Sequence, residues 1–102
     1  MKLSILDRVL LQSILPKEGD IVTIKIIRDL RTALGFDEKD VEECEISQEG
    51  NQVVWKKNID KEINIGPKAL TIIVSALEEL NKDGKLSENH IAVYEKFMED
   101  EP

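Results

Sequence analysis

Residues 69–80 read Ala-Leu-Thr-Ile-Ile-Val-Ser-Ala-Leu-Glu-Glu-Leu, and this run constrains the fold more than any other stretch. Pro67 stands at its start, where a first helical turn tolerates the missing N–H. Gly84 stands behind it, a residue type that stops helices. At about 100° per residue, Ala69, Leu70, Ile72, Ile73, Val74, Ala76, Leu77 and Leu80 cover an arc of roughly 200°. Only Thr71, Ser75, Glu78 and Glu79 are left for water. Such a helix packs on more than one side, and the spacing marks it as the central element.

The other elements are arranged before and after it. Ser4 followed by Asp7 is an N-cap pattern, and Pro16 ends the helix it opens. Its main apolar stripe is Leu6, Val9, Leu10 and Ile14, with Leu11 and Leu15 lying off that stripe. A helix apolar on so much of its circumference is well buried or part of a subunit contact. Asp20 caps a second helix over residues 21–34. There Val22, Ile24 and Ile26 alternate as in a strand, but Val22, Ile26, Ile27, Leu30, Ala33 and Leu34 share a helical face and Gly35 supplies a stop. Fourteen residues without a turn signal decide for helix. Asp37 with Asp40 opens a short acidic helix through Cys44, with Phe36 placed to staple against Val41.

The pattern then changes. Glu49-Gly50-Asn51 is a turn between 45–48 and 52–57, an antiparallel hairpin carrying Val53 and Trp55 on one face and Val54 on the other. Residues 61–65 make a short third strand with Ile63 and Ile65 inward. Beyond Gly84, Ser87 caps a last helix whose stripe is Ile91, Tyr94, Phe97 and Met98, and residues 97–102 form a frayed acidic tail. The predicted fold is a single α+β domain spanning 1–102: two N-terminal helices, a short acidic helix, a small two- or three-stranded antiparallel sheet and a C-terminal helix pair. The order is α-α-α-β-β-(β)-α-α.

Asn81, Asp83, Gly84, Leu86 and Ser87 invite a calcium-loop reading, because they match the third, fifth, sixth, eighth and ninth places of an EF-hand loop. The first place is Glu79, and the twelfth is His90 where a bidentate Glu closes the shell. An imidazole is a poor ligand for a hard cation. The same residues are explained as helix punctuation, with Gly84 as stop, Ser87 as cap and Leu86 as staple. A metal site at Asn81, Asp83 and Ser87 is therefore rejected, and no metal or other cofactor is expected.

Net charge bears on nucleic acid. The chain carries −7 overall, which disfavours a general polyanion binder. The charge is uneven: residues 1–36 hold six basic and four acidic side chains, net +2, while 37–66 hold four and nine, net −5. Three short helices followed by a hairpin is also the order of a winged helix. Lys17, Lys25, Arg28 and Arg31 would be its contacts, with Asp29 interrupting the patch. Catalysis finds no support in the residues. His90 is the lone histidine, Cys44 lies in an acidic run that disfavours a thiolate, and Asp37, Glu38, Asp40, Glu42, Glu43 and Glu45 read as a solvated face. No phosphate loop, metal spacing or Ser-His pair is present.

The sole cysteine excludes an internal disulfide and suits a reducing compartment. Asp7-Arg8 splits the apolar start, unlike a signal peptide, and no apolar run is long enough for a membrane span. The expected location is the cytoplasm. Apolar surface exceeds what so short a chain can cover from inside, so the expected role is protein–protein interaction or homo-oligomerisation, as a homodimer. Leu11, Leu15, Val54, Trp55, Leu70 and Val74 are the interface candidates.

Leu15-Pro16-Lys17-Glu18-Gly19-Asp20, the helix Ile26-Ile27-Arg28-Asp29-Leu30-Arg31, Trp55 on the hairpin, and Gly84-Lys85-Leu86-Ser87 through Tyr94-Glu95-Lys96-Phe97 together resemble small uncharacterised phage and prokaryotic proteins. The resemblance spans nearly the whole chain. It implies a single domain, phage or prophage encoded, that binds another protein, and it implies no catalytic or ligand residues.

Overall fold

The computed structural model describes residues 1–98. Their elements run β1 (Lys2–Leu3), α1 (Ile5–Ile14), α2 (Ile21–Leu34), α3 (Glu38–Cys44), β2 (Ser47–Glu49), β3 (Gln52–Val54), β4 (Lys61–Glu62), α4 (Pro67–Lys82), a 3₁₀ turn (Glu88–His90) and α5 (Ile91–Met98). This is the α+β arrangement that the sequence predicts, with one strand added at the front.

That added strand closes the molecule. β1 pairs antiparallel with β4, Lys2 opposite Glu62 and Leu3 opposite Lys61. The Ile63 N–H donates to the Met1 carbonyl at 2.8 Å. Two residues of strand have no periodicity to detect, so Lys2 and Leu3 carry no strand signal. The pairing buries Leu3 and Ile63 in the core. The hairpin β2–β3 is a separate two-stranded sheet with Gln48 opposite Val53. Gly50 turns it with a positive φ of 62°.

α1 starts as its cap pattern predicts, with the Asp7 N–H donating to Ser4 Oγ at 3.1 Å and the Ser4 N–H to the Asp7 carboxylate at 3.0 Å. Its buried face is a correction to the sequence reading. Ile5, Arg8, Leu11 and Leu15 point inward, whereas Leu6, Val9, Leu10 and Ile14 are half-buried. The inner stripe has ordinary helical spacing, but its centre is an arginine, and a charged residue there hides the stripe from an apolar count.

Arg8 is 0% exposed. Its Nε donates to the Leu34 carbonyl at 3.1 Å, and its Nη2 donates to the Gly35 carbonyl and to Asp40 Oδ2, the latter at 3.0 Å. Phe36 lies under the guanidinium at 4.5 Å to the ring centre, so its ring serves Arg8 where a staple to Val41 was predicted. Leu34 and Gly35 expose the carbonyls that end α2, and a cation at a helix C-terminus satisfies both their hydrogen bonding and the helix dipole. One buried side chain of α1 thus holds the end of α2 and the start of α3. Asp40, predicted to be solvated, is buried for this reason.

α4 packs against α1, α2 and α5. Only Ile73 and Leu77 are fully buried; Ala69, Leu70, Ile72, Val74, Ala76 and Leu80 remain half-buried along its flanks. It ends as predicted, with Gly84 at φ 67° and the Lys85 N–H donating to the Leu80 carbonyl at 2.9 Å. In α5 the buried residues are Val93 and Phe97. Ile91, placed on the inner stripe by the sequence, is exposed, because it lies about 200° around the helix from the buried Val93. Phe97 belongs to the core, not to a frayed tail. The rest of the predicted tail, from residue 99, lies outside the described residues.

Candidate functional site

α2 carries the surfaces of interest. Asp20 caps it, accepting from the Thr23 N–H at 2.8 Å, and Arg8 holds its other end, so the helix is a rigid platform. Ile27, Leu30 and Leu34 face the core. With that face fixed, the helical rotation of about 100° per residue puts Ile24, Arg28, Arg31 and Thr32 on one flank and Val22, Ile26, Asp29 and Ala33 on the other. Each flank borders a groove.

The first groove holds about 530 Å³ and is lined by Pro16, Lys17, Ile24, Ile27, Arg28, Arg31 and Thr32. Its floor is aliphatic and its ionisable lining is entirely cationic. Three of the residues predicted for nucleic acid, Lys17, Arg28 and Arg31, are therefore brought together; Lys25 points away and lines none of it. Arg31 Nη1 donates to the Gln12 carbonyl at 3.0 Å, which leaves its other donors free of that bond. Arg28 reaches only its exposed neighbour Asp29, at 3.4 Å.

Two separate hollows lie along the seam between α2 and α4. At one end Ile14, Pro16, Thr23, Ile72, Ala76, Glu79, Leu80, Asp83 and Lys85 line a space of about 420 Å³. At the other, Ile26, Asp29, Leu30, Ala33, Pro67, Lys68 and Ala69 line about 470 Å³. The N-terminal part of α2 borders the first space with the C-terminal part of α4, and the reverse holds at the second. The two helices thus run antiparallel along one seam. Val22, Ile26, Asp29 and Ala33 are spaced four, three and four apart. Ala69, Ile72, Ala76, Glu79 and Asp83 alternate three and four. Such spacings place each set along one face of its helix, and the alanines let a backbone approach closely. Val22 is 58% exposed on this edge.

The interface residues predicted from sequence fare unevenly. Leu11 and Leu15 are consumed by the core, 0% and 3% exposed, and are unavailable to a partner. Leu70 and Val74 are half-buried on the flank of α4 away from the seam, and Val54 and Trp55 are half-buried at the hairpin. Val22, Ile26 and Ala33 belong to the apolar face that the sequence predicts for α2, and Ile72 and Ala76 to the wide arc of α4; which flank lacks a neighbour is a property of the assembled fold.

Asn81, Asp83 and Ser87 are exposed. His90 Nδ1 accepts from the Ser87 N–H at 3.0 Å, so the residue that breaks the calcium pattern completes a helix start. Among the described residues no group of three or more His, Cys, Asp or Glu is arranged to hold a metal ion, and no helix is long and apolar enough to cross a membrane. Compared with known protein families, curated proteins and solved structures, the chain matches none.

Proposed function

We propose that this chain is a non-catalytic interaction protein that acts as a homodimer, joined through the α2–α4 seam. The observation that carries this reading is the pair of flanks that border two mainly apolar hollows, one toward each end of the α2–α4 seam. A two-fold axis across the seam lays each hollow over the opposite one of the second copy. Val22 of one copy then enters the space beside Ala33, Pro67 and Ala69 of the other. The charges suit the same arrangement: Lys68 meets Glu79 and Asp83, and Lys85 meets Asp29.

The size is adequate. Helices of 14 and 16 residues side by side present a face of roughly 24 by 20 Å. That is on the order of 500 Å² per copy before side-chain relief, which reaches the threshold of about 1,000 Å² in total for a specific interface. The four helices so joined form a bundle about the axis.

Sedimentation velocity tests the reading. Wild-type protein at tens of micromolar is expected to sediment as a dimer, and to remain one in high salt because the contact is mainly apolar. Val22→Asp and Ala76→Arg are expected to sediment as monomers. A wild-type monomer at hundreds of micromolar, or a dimer indifferent to both substitutions, would overturn it.

A further inference from the structure

On the flank of α2 away from the seam, we infer that the groove of Lys17, Arg28 and Arg31 is a docking site for an acidic protein segment carrying aliphatic side chains. The site shares only Pro16 with the lining of the dimer seam, and its arginines lie on the other flank of α2.

Charge is the first argument. The chain has 21 acidic and 14 basic side chains and a net charge of −7, yet no carboxylate lines this groove. Among the described residues no ion pair engages Lys17 or Arg31, and the pair made by Arg28 is loose and exposed. Two exposed cations and a half-buried one facing a single groove repel one another, and a carboxylate-bearing ligand relieves that repulsion. Arginine pairs also read carboxylates with directional hydrogen bonds that a lysine alone does not supply.

The floor decides which polyanion fits. Pro16, Ile24 and Ile27 offer aliphatic surface in an open depression of about 530 Å³, a shape suited to a peptide lying across it rather than to an enclosed small molecule. Leu or Ile side chains bury there at a gain. A single-stranded nucleic acid would need aromatic platforms for its bases, and none lines the groove. A duplex would need a protruding element, and it would meet the net negative charge of the whole chain. Cationic rim and aliphatic floor together describe an acidic, amphipathic peptide, held as Arg clusters hold acidic motifs.

Fluorescence anisotropy separates the outcomes, using three labelled probes: a synthetic amphipathic peptide of Glu and Leu, its Gln-for-Glu counterpart, and a short DNA duplex. The Glu/Leu peptide is expected to bind saturably, and to weaken with added salt. Lys17→Ser and Arg28→Ser, both at exposed positions, are each expected to weaken it by roughly tenfold. The Gln/Leu peptide is expected to bind far more weakly than the Glu/Leu peptide. Val22→Asp is expected to leave the peptide affinity unchanged, which separates this site from the seam. Peptide binding indifferent to both Lys17→Ser and Arg28→Ser, equal binding of the Gln/Leu peptide, or tighter binding of the duplex would each overturn the inference.

Discussion

Arg8 and Asp40 form an ion pair at 3.0 Å between a fully buried guanidinium and a carboxylate whose side chain is 11% exposed. The pair joins α1 to α3, and through the carbonyls of Leu34 and Gly35 it also fixes the end of α2. Neither residue announces this pair in the sequence, where Arg8 splits an apolar run and Asp40 reads as the capping partner of Asp37 within an acidic run.

Arg8→Met is expected to cost up to about 3–5 kcal/mol, because it takes the guanidinium from two helix-end carbonyls and leaves the buried Asp40 carboxylate only Lys61 and the Asp37 N–H. Arg8→Lys should recover little, since one ammonium cannot replace donors fixed toward three acceptors. Urea denaturation of Arg8→Met, Asp40→Ala and the double variant measures the coupling. Non-additivity of about 1–3 kcal/mol is expected; additive losses would mean that the two residues act separately.

Acid should weaken the fold through Asp40. Burial alone would raise its pKa, but the hydrogen bonds from Arg8, from the Asp37 N–H and from Lys61 outweigh burial and hold it at about 2. The unfolded carboxyl, near 3.9, takes up its proton first as pH falls. The stabilisation is therefore complete only above about pH 5 and is lost as pH falls through 2, amounting to roughly 2–3 kcal/mol. Thermal melts across this range check it, and Asp40→Asn should flatten the slope.

Leu3→Ala is expected to cost about 2–5 kcal/mol, the range for emptying a packed core position. Leu3 is 0% exposed although it lies in a two-residue strand. A loss under about 1 kcal/mol in denaturant titrations would show that the β1–β4 closure contributes little.

Gly84→Ala should cost about 1–2 kcal/mol for the left-handed backbone alone. The space around the position is open, with nothing within 4 Å of an added Cβ and φ at 67°. Gly84→Asn should cost less, because Asn visits this region more readily. Thermal unfolding of the two variants gives the order.

Local signals carried much of the architecture. Ser4, Asp20 and Asp37 are N-caps where the chain announces them, and Pro16, Gly35 and Gly84 mark the stops. Each acts over a few neighbouring residues, which is why a linear reading finds it. Burial was less legible. The arc of α4 showed which residues are apolar, but not that Ile73 and Leu77 alone would be fully covered. The candidate grooves were legible in part: Lys17, Arg28 and Arg31 stand out in the sequence, whereas Pro16 and the aliphatic floor join them only because the chain turns back against α2.

Local sequence was enough to mark most helix starts and stops, the hairpin with its turn, and the cationic side chains of Lys17, Arg28 and Arg31. The tertiary structure alone decided that Arg8 faces inward, that Lys2–Leu3 pairs with Lys61–Glu62, and which flanks of α2 and α4 stay open. The reason is range. Caps, turns and periodicity arise from contacts within a turn or two of chain. A buried charge, by contrast, is tolerated only where distant residues supply its partners, and a flank is open only when no distant element arrives to cover it.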